Sequence, residues 1–232
     1  MRLARLAIFA LGAGTATWSA PAAAPHVPAL AAALRIARRA EGARGVALTF
    51  DDGPHREGTP AMLGVLERAG ARATFFLVGE QVRREPTLAR EIVAAGHAVA
   101  LHGDRHRCQL RLTPRALDDD LTRVAATVAD ATGRAPLLYR PPYGVYSAAG
   151  LALLRRRGWR GLLWSRWGRD WAARAKPATI AARATRDLRA GDVVLLHDAD
   201  TYSARGSWER TAQALPAVLE AVERAGLACV TV

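Results

Sequence analysis

Lysine is nearly missing from this chain: Lys176 is the single lysine in 232 residues, so the formal net charge of +12 is carried by arginine. The arginines are scattered through amphipathic stretches such as 152–160 rather than gathered into one basic block. Nucleic-acid binding wants a clustered cationic patch, so no nucleic-acid partner is expected. A basic surface near anionic cell-wall polymers is the more economical reading. Cysteine is scarce too. Cys108 and Cys229 cannot make a disulfide framework, and two small buried side chains are expected rather than a bond. Internal repeats are missing, as are low-complexity linkers beyond an N-terminal Ala/Pro/Arg stretch.

No clean membrane span is present either. Thr15, Thr17, Ser19 and Pro21 interrupt the N-terminal apolar run, whereas a bilayer needs about 20 apolar residues in sequence. What is present is Arg2 and Arg5, then apolar Leu6–Ala13, then small residues and the Ala/Pro stretch 20–25. That is the order of a secretory signal peptide. Residues 1–24 are therefore expected to be a cleaved signal, with several Ala-x-Ala frames between Ala20 and Ala24 leaving the cleavage point open. An uncleaved membrane anchor is the alternative. Residues 25–44 then form a short N-terminal extension, and 45–232 a single domain, secreted or associated with the cell envelope and monomeric.

Half the residues are hydrophobic, enough for a globular core. From Arg44 onward, strand-like and helix-like segments alternate. Strands are expected at 46–50, 73–78, 98–101, 137–139, 161–164, 193–196 and 228–232, where short apolar runs occur. Helices are expected at 59–69, 87–95, 114–132, 147–157, 177–188 and 207–225, several closed by glycine. Such alternation implies parallel strands joined by right-handed crossovers. The expected fold class is α/β, a distorted (β/α) barrel of about seven parallel strands; an open doubly wound sheet is the alternative.

The chemistry-bearing residues line up on this map. Asp51 and Asp52 follow the first strand in "TFDDGP", His102 and His106 the third in "HGDRH", and Arg140 and Tyr143 the fourth in "RPPYG". Asp170 and Trp171 follow the fifth in "WGRDW", and His197 and Asp198 end the sixth in "LLHD". All stand at strand C-terminal ends, where β/α folds gather their active sites. Two imidazoles four residues apart have the spacing of a metal-ligand pair. With a carboxylate they make three ligands and leave room for water, as a catalytic divalent site does. Neighbouring strand side chains point different ways, so the adjacent aspartates are expected to divide the work, one binding metal and one accepting a proton.

These five motifs, in this order, resemble the polysaccharide deacetylases of the NodB-homology type, the fourth carbohydrate-esterase family. The resemblance covers residues 46–232 and implies metal-dependent hydrolysis of N-acetyl groups on sugars. It implies Asp51 as catalytic base and Asp52, His102 and His106 as metal ligands. It implies that Arg140 holds the base, that the Tyr143 backbone N–H helps bind the oxyanion, and that Asp170 tunes His197, the general acid. Trp171 and Leu195 would wall the pocket for the acetyl methyl. The chain departs from the family pattern in two places. Gly103 stands where Ser or Thr usually follows the first histidine, and Trp167 stands where many members carry an acid three positions before the "DW" aspartate.

The expected function is a secreted, metal-dependent hydrolase acting on N-acetylhexosamine-containing polysaccharide, peptidoglycan or chitin-like. One divalent ion is expected, with zinc the first choice and cobalt or manganese the alternatives. An O-acetyl esterase on a glycan such as xylan, and an inactive glycan-binding module, are the competing readings. The only membrane contact expected is through an uncleaved N-terminal segment.

Overall fold

The computed structural model describes residues 18–232. Residues 1–17 of the expected signal lie outside the described residues. Eight short strands form one sheet: β1 Val46–Asp51, β2 Thr74–Leu77, β3 Ala98–Leu101, β4 Leu138–Tyr139, β5 Arg160–Gly161, β6 Arg166–Trp167, β7 Val193–His197 and β8 Cys229–Val230. Every pairing is parallel, in the order β5-β4-β3-β2-β1-β7-β6, with β8 paired to the start of β1. This is a curled, distorted (β/α) barrel. The central β1 is buried along its whole length, which explains why "VALTF" runs apolar rather than alternating.

The helices are α1 Pro28–Ala33, α2 Gly58–Arg68, α3 Gly79–Arg84, α4 Pro86–Ala94, α5 Pro114–Thr132, α6 Ala148–Arg157, α7 Pro177–Ala184 and α8 Ser207–Arg224. Their ends follow local chemistry. Thr113 accepts a hydrogen bond from the Ala116 N–H at 3.2 Å, Pro114 takes the first turn, and Gly133 ends α5 with φ +65°. Helix α3 was not expected, and α7 stops four residues before the expected Leu188. Cys108 and Cys229 are free and half-buried. Among the described residues no helix is long and apolar enough to cross a membrane.

The expected fifth strand, 161–164, is where the structure departs most. Only Arg160–Gly161 pairs with β4, and a separate strand, Arg166–Trp167, joins β7. The reason is a side chain. Arg140 donates from Nε to the Leu162 carbonyl (3.1 Å) and from Nη2 to the Leu163 carbonyl (2.9 Å), taking acceptors a ladder would have used. Asp170 and Trp171 therefore follow β6, not the strand that ends near Trp164.

The gap between the sheet's two edges is filled from the N-terminal side. Ala37 bridges to Leu162 and Arg39 to Asp192, with Leu163 N–H donating to the Ala37 carbonyl at 2.8 Å. Arg39 Nη1 meets the buried Asp192 carboxylate at 2.6 Å. Ala24, Ala31 and Ile36 are buried in the core, so residues 24–40 pack as part of the body.

Candidate active site

At the C-terminal edge of the sheet lies a cavity of about 350 Å³. Asp51, Asp52, His102, His106, Tyr143, Trp171, Leu195 and His197 all line it. Arg140 and Asp170 do not; both are completely buried behind it. The ten residues given site roles are therefore brought to one place, eight facing the cavity and two supporting it; Asp198 is buried outside the cavity, hydrogen-bonded by the Thr59 hydroxyl.

Asp52 Oδ1 lies 3.3 Å from His102 Nε2 and 3.2 Å from His106 Nε2. These three side chains offer ligand atoms within 4.8 Å of one another. Asp52 Oδ1 is buried without a hydrogen-bond donor, the state expected of an oxygen reserved for a cation. Burial opposes ionisation of Asp52, yet its contacts with His102 and His106 hold the carboxyl below the usual carboxylate range. The donor set, two imidazoles and one carboxylate, fits a divalent ion. The backbone turns sharply to achieve this: Asp52 has φ +81°, and a side chain at Gly53 would collide with the Asp198 carboxylate. That is why glycine follows the aspartate pair.

The adjacent Asp51 is held differently. Arg140 Nη1 meets Asp51 Oδ1 at 2.6 Å and also donates to Thr49 Oγ1 at 3.0 Å. The Arg140 carbonyl lies 2.9 Å from His102 Nδ1, so one residue orients both a carboxylate and an imidazole of the candidate metal site. Across the cavity, Asp170 accepts from the His197 backbone N–H (2.7 Å) and lies 2.9 Å from its Nδ1. Thr211 donates to the same carboxylate at 2.8 Å. Burial disfavours a charged His197, but the Asp170 carboxylate outweighs it, with Asp52 and Asp51 adding to the effect. The imidazole is pushed up to about 10.

The sequence profile described as polysaccharide deacetylase matches residues 38–162. The chain is 35% identical over 192 residues to a chitooligosaccharide deacetylase of Bradyrhizobium sp. (strain ANU 289), covering 80% of this chain and 87% of that protein. The chain belongs to the polysaccharide deacetylase family. A peptidoglycan-N-acetylglucosamine deacetylase of Bacillus cereus is 31% identical over 189 residues, covering 81% of this chain and 85% of that one. A family 4 carbohydrate esterase from Streptomyces lividans, solved in complex with acetate, superposes with a TM-score of 0.72 at 32% identity, over 81% of this chain and 93% of that chain.

Both departures of this deacetylase from its family pattern have structural reasons. Gly103 adopts φ +86°, a left-handed conformation that side chains rarely take. The loop bearing the two histidines is braced by Asp104, whose N–H donates to Asp120 (2.8 Å) and whose carboxylate meets Arg83 (2.6 Å) and Arg123 (3.1 Å). Trp167 lines the cavity between Trp164 and Trp171, with ring centroids 5.6 and 6.2 Å away. The deacetylase therefore has an indole wall where many members of the family carry an acid.

Sequence reasoning missed Tyr202, which lines the same cavity on the loop after β7. Its ring stacks on His106 at 4.3 Å and 10°, while Tyr143 meets the same imidazole edge-on at 4.5 Å. The Tyr202 hydroxyl donates to Glu80 (2.5 Å) and accepts from Gln81 Nε2 (2.8 Å). His106 Nδ1 is buried with no hydrogen-bond partner, so rings rather than a hydrogen bond fix this imidazole. Tyr202→Ala should then weaken divalent-metal affinity by roughly ten- to a hundredfold, the effect of losing an outer-shell support. Tyr202→Phe, which keeps the ring, should lose less. Chelator competition checks both, and an unchanged affinity in Tyr202→Ala refutes the role. No motif marked this tyrosine; only its place in a loop at the C-terminal edge of the sheet was available as a signal.

Proposed function

We propose that this deacetylase removes the N-acetyl group from N-acetylglucosamine units of a peptidoglycan-like or chitin-like glycan outside the cytoplasm, with a divalent cation, zinc first among candidates. The observation that carries the reading is the paired arrangement of Asp51 and His197. Both line one cavity, and each is pinned from behind by a fully buried opposite charge, Arg140 and Asp170 respectively. The printed activities of the Bradyrhizobium and Bacillus cereus relatives support the choice of glycan.

Held by Asp52, His102 and His106, the cation would supply Lewis acidity and a lowered pKa for water. Asp51 accepts the proton of the attacking water, with Arg140 occupying Oδ1 and leaving Oδ2 for that task. The Tyr143 backbone N–H, in a turn with φ +61°, is assigned to the developing oxyanion. His197 delivers a proton to the leaving amine from Nε2, because Nδ1 is committed to Asp170. Trp171 and Leu195 flank the acetyl methyl.

Acetate release from N-acetylchitooligosaccharides, peptidoglycan and acetylated xylan, with and without chelator, tests the reading. Release from the first two, abolished by chelator, is expected; release from xylan alone would establish an O-acetyl esterase, and no release an inactive module. Within the aspartate pair, Asp51→Asn should keep metal yet lose activity, whereas Asp52→Asn should lose the metal. Equal metal loss in both would make the carboxylates joint ligands. For secretion, mass spectrometry of protein recovered outside the cytoplasm should find the N-terminal segment absent. An intact Met1 in membrane fractions would mean an anchor.

A further inference from the structure

We propose that the outer side of the loop bearing His102 and His106 is a second binding site, for the phosphate groups of an anionic phosphodiester polymer. The arginines look scattered in the sequence, but the fold gathers four of them. Arg83, Arg105, Arg107 and Arg123 line one shallow depression of about 560 Å³, with Asp104 at its base and the Thr127 hydroxyl at its side. The depression shares no lining residue with the catalytic cavity, so the inference does not depend on the deacetylation chemistry.

Two buried carboxylates set the guanidiniums in place. Asp104 takes Arg83 and Arg123, and Asp120 takes Arg107 at 2.9 Å. Four guanidiniums against two carboxylates leave an excess of two positive charges. Arg105 is exposed and its side chain has no partner among the described residues, while Arg107 Nε is buried without an acceptor among them. Arg83, Arg107 and Arg123 remain 40–50% exposed at the side chain, so each can be reached from solvent.

The number of donors selects the ligand. A planar carboxylate is saturated by one guanidinium fork, whereas a phosphate offers oxygens in several directions to guanidiniums that approach from different segments. A polymer of repeated phosphates would meet this bowl beside the cleft in which the glycan is cut.

The test uses the full chain and fluorescently labelled poly(glycerol phosphate), with labelled polygalacturonate as a carboxylate comparator and inorganic phosphate as competitor. The wild type should bind the phosphodiester polymer more tightly than polygalacturonate, and inorganic phosphate should displace it. Arg105→Glu disturbs no internal contact and should weaken binding about tenfold or more, the loss of one charge-assisted contact. Arg224→Glu, an identical charge change far along the chain at the end of α8, should stay within about twofold. Equal losses in the two variants would reduce the effect to net charge. Unchanged binding in Arg105→Glu, no binding by the wild type, or equal affinity for polygalacturonate would each overturn the proposal.

Discussion

His197→Ala should lower kcat by roughly a hundred- to ten-thousandfold, the worth of a positioned general acid, while metal content stays at the wild-type level. The expectation rests on geometry: Nδ1 is tied to the fully buried Asp170, so only Nε2 can reach substrate. With the imidazole pushed up from 6.5 to about 10, the proton is retained through neutral pH and released as pH rises through about 10. The alkaline limb of the activity profile should report this release, at a lower pH once a bound cation offsets the Asp52 charge. Asp170→Asn removes the charge that supports the imidazolium, so that limb should move to lower pH. The same contact stabilises the fold, fully below pH 6.5 and no longer above about 10, because a raised folded-state pKa favours the protonated native state. If His197→Ala is recovered without metal, the histidine is a ligand instead.

Arg140→Met should destabilise the protein by about 3–5 kcal/mol, the range for removing one partner of a buried ion pair. Arg140 has no exposed surface, and its guanidinium lies 3.9 Å from the Phe76 ring centroid. Removing it strands Asp51 without its cation and leaves the Leu162 and Leu163 carbonyls without their donor. Arg140→Lys should rescue little, because a single ammonium cannot replace three donor nitrogens held in one plane. Adding Asp51→Asn to Arg140→Met should recover part of the loss, since the stranded charge is then gone. Urea unfolding measures all four proteins. An Arg140→Met midpoint shift worth less than about 1 kcal/mol would mean that Asp51 needs no buried counter-charge.

Residues whose role is local were legible in the sequence. Thr113-Pro114 and Gly133 mark the ends of α5, and the aspartate and histidine motifs stand at strand ends that apolar runs reveal. What escaped depends on distant partners. The split after β5 occurs because a guanidinium from residue 140 occupies carbonyls at 162 and 163. Tyr202 reaches His106 from a separate loop, and no spacing rule connects them. Gly103 shows only that a usual hydroxyl is replaced, whereas the group that braces the loop is the next residue, Asp104, anchored by residues 83, 120 and 123.

The strip at 37–40 that fills the gap in the sheet has a consequence for how the molecule comes into being. Its partners lie far along the chain: Arg38 reaches the Trp164 carbonyl and Arg39 the Asp192 carboxylate, 126 and 153 positions away. Contacts this distant in sequence slow folding, because a long loop must close before they repay its entropy. Each of these partners is therefore made more than a hundred positions after the strip itself. A ribosome-bound nascent chain that has not reached Asp192 can align β1 through β4 but cannot seal its own circumference, so closure waits for that residue.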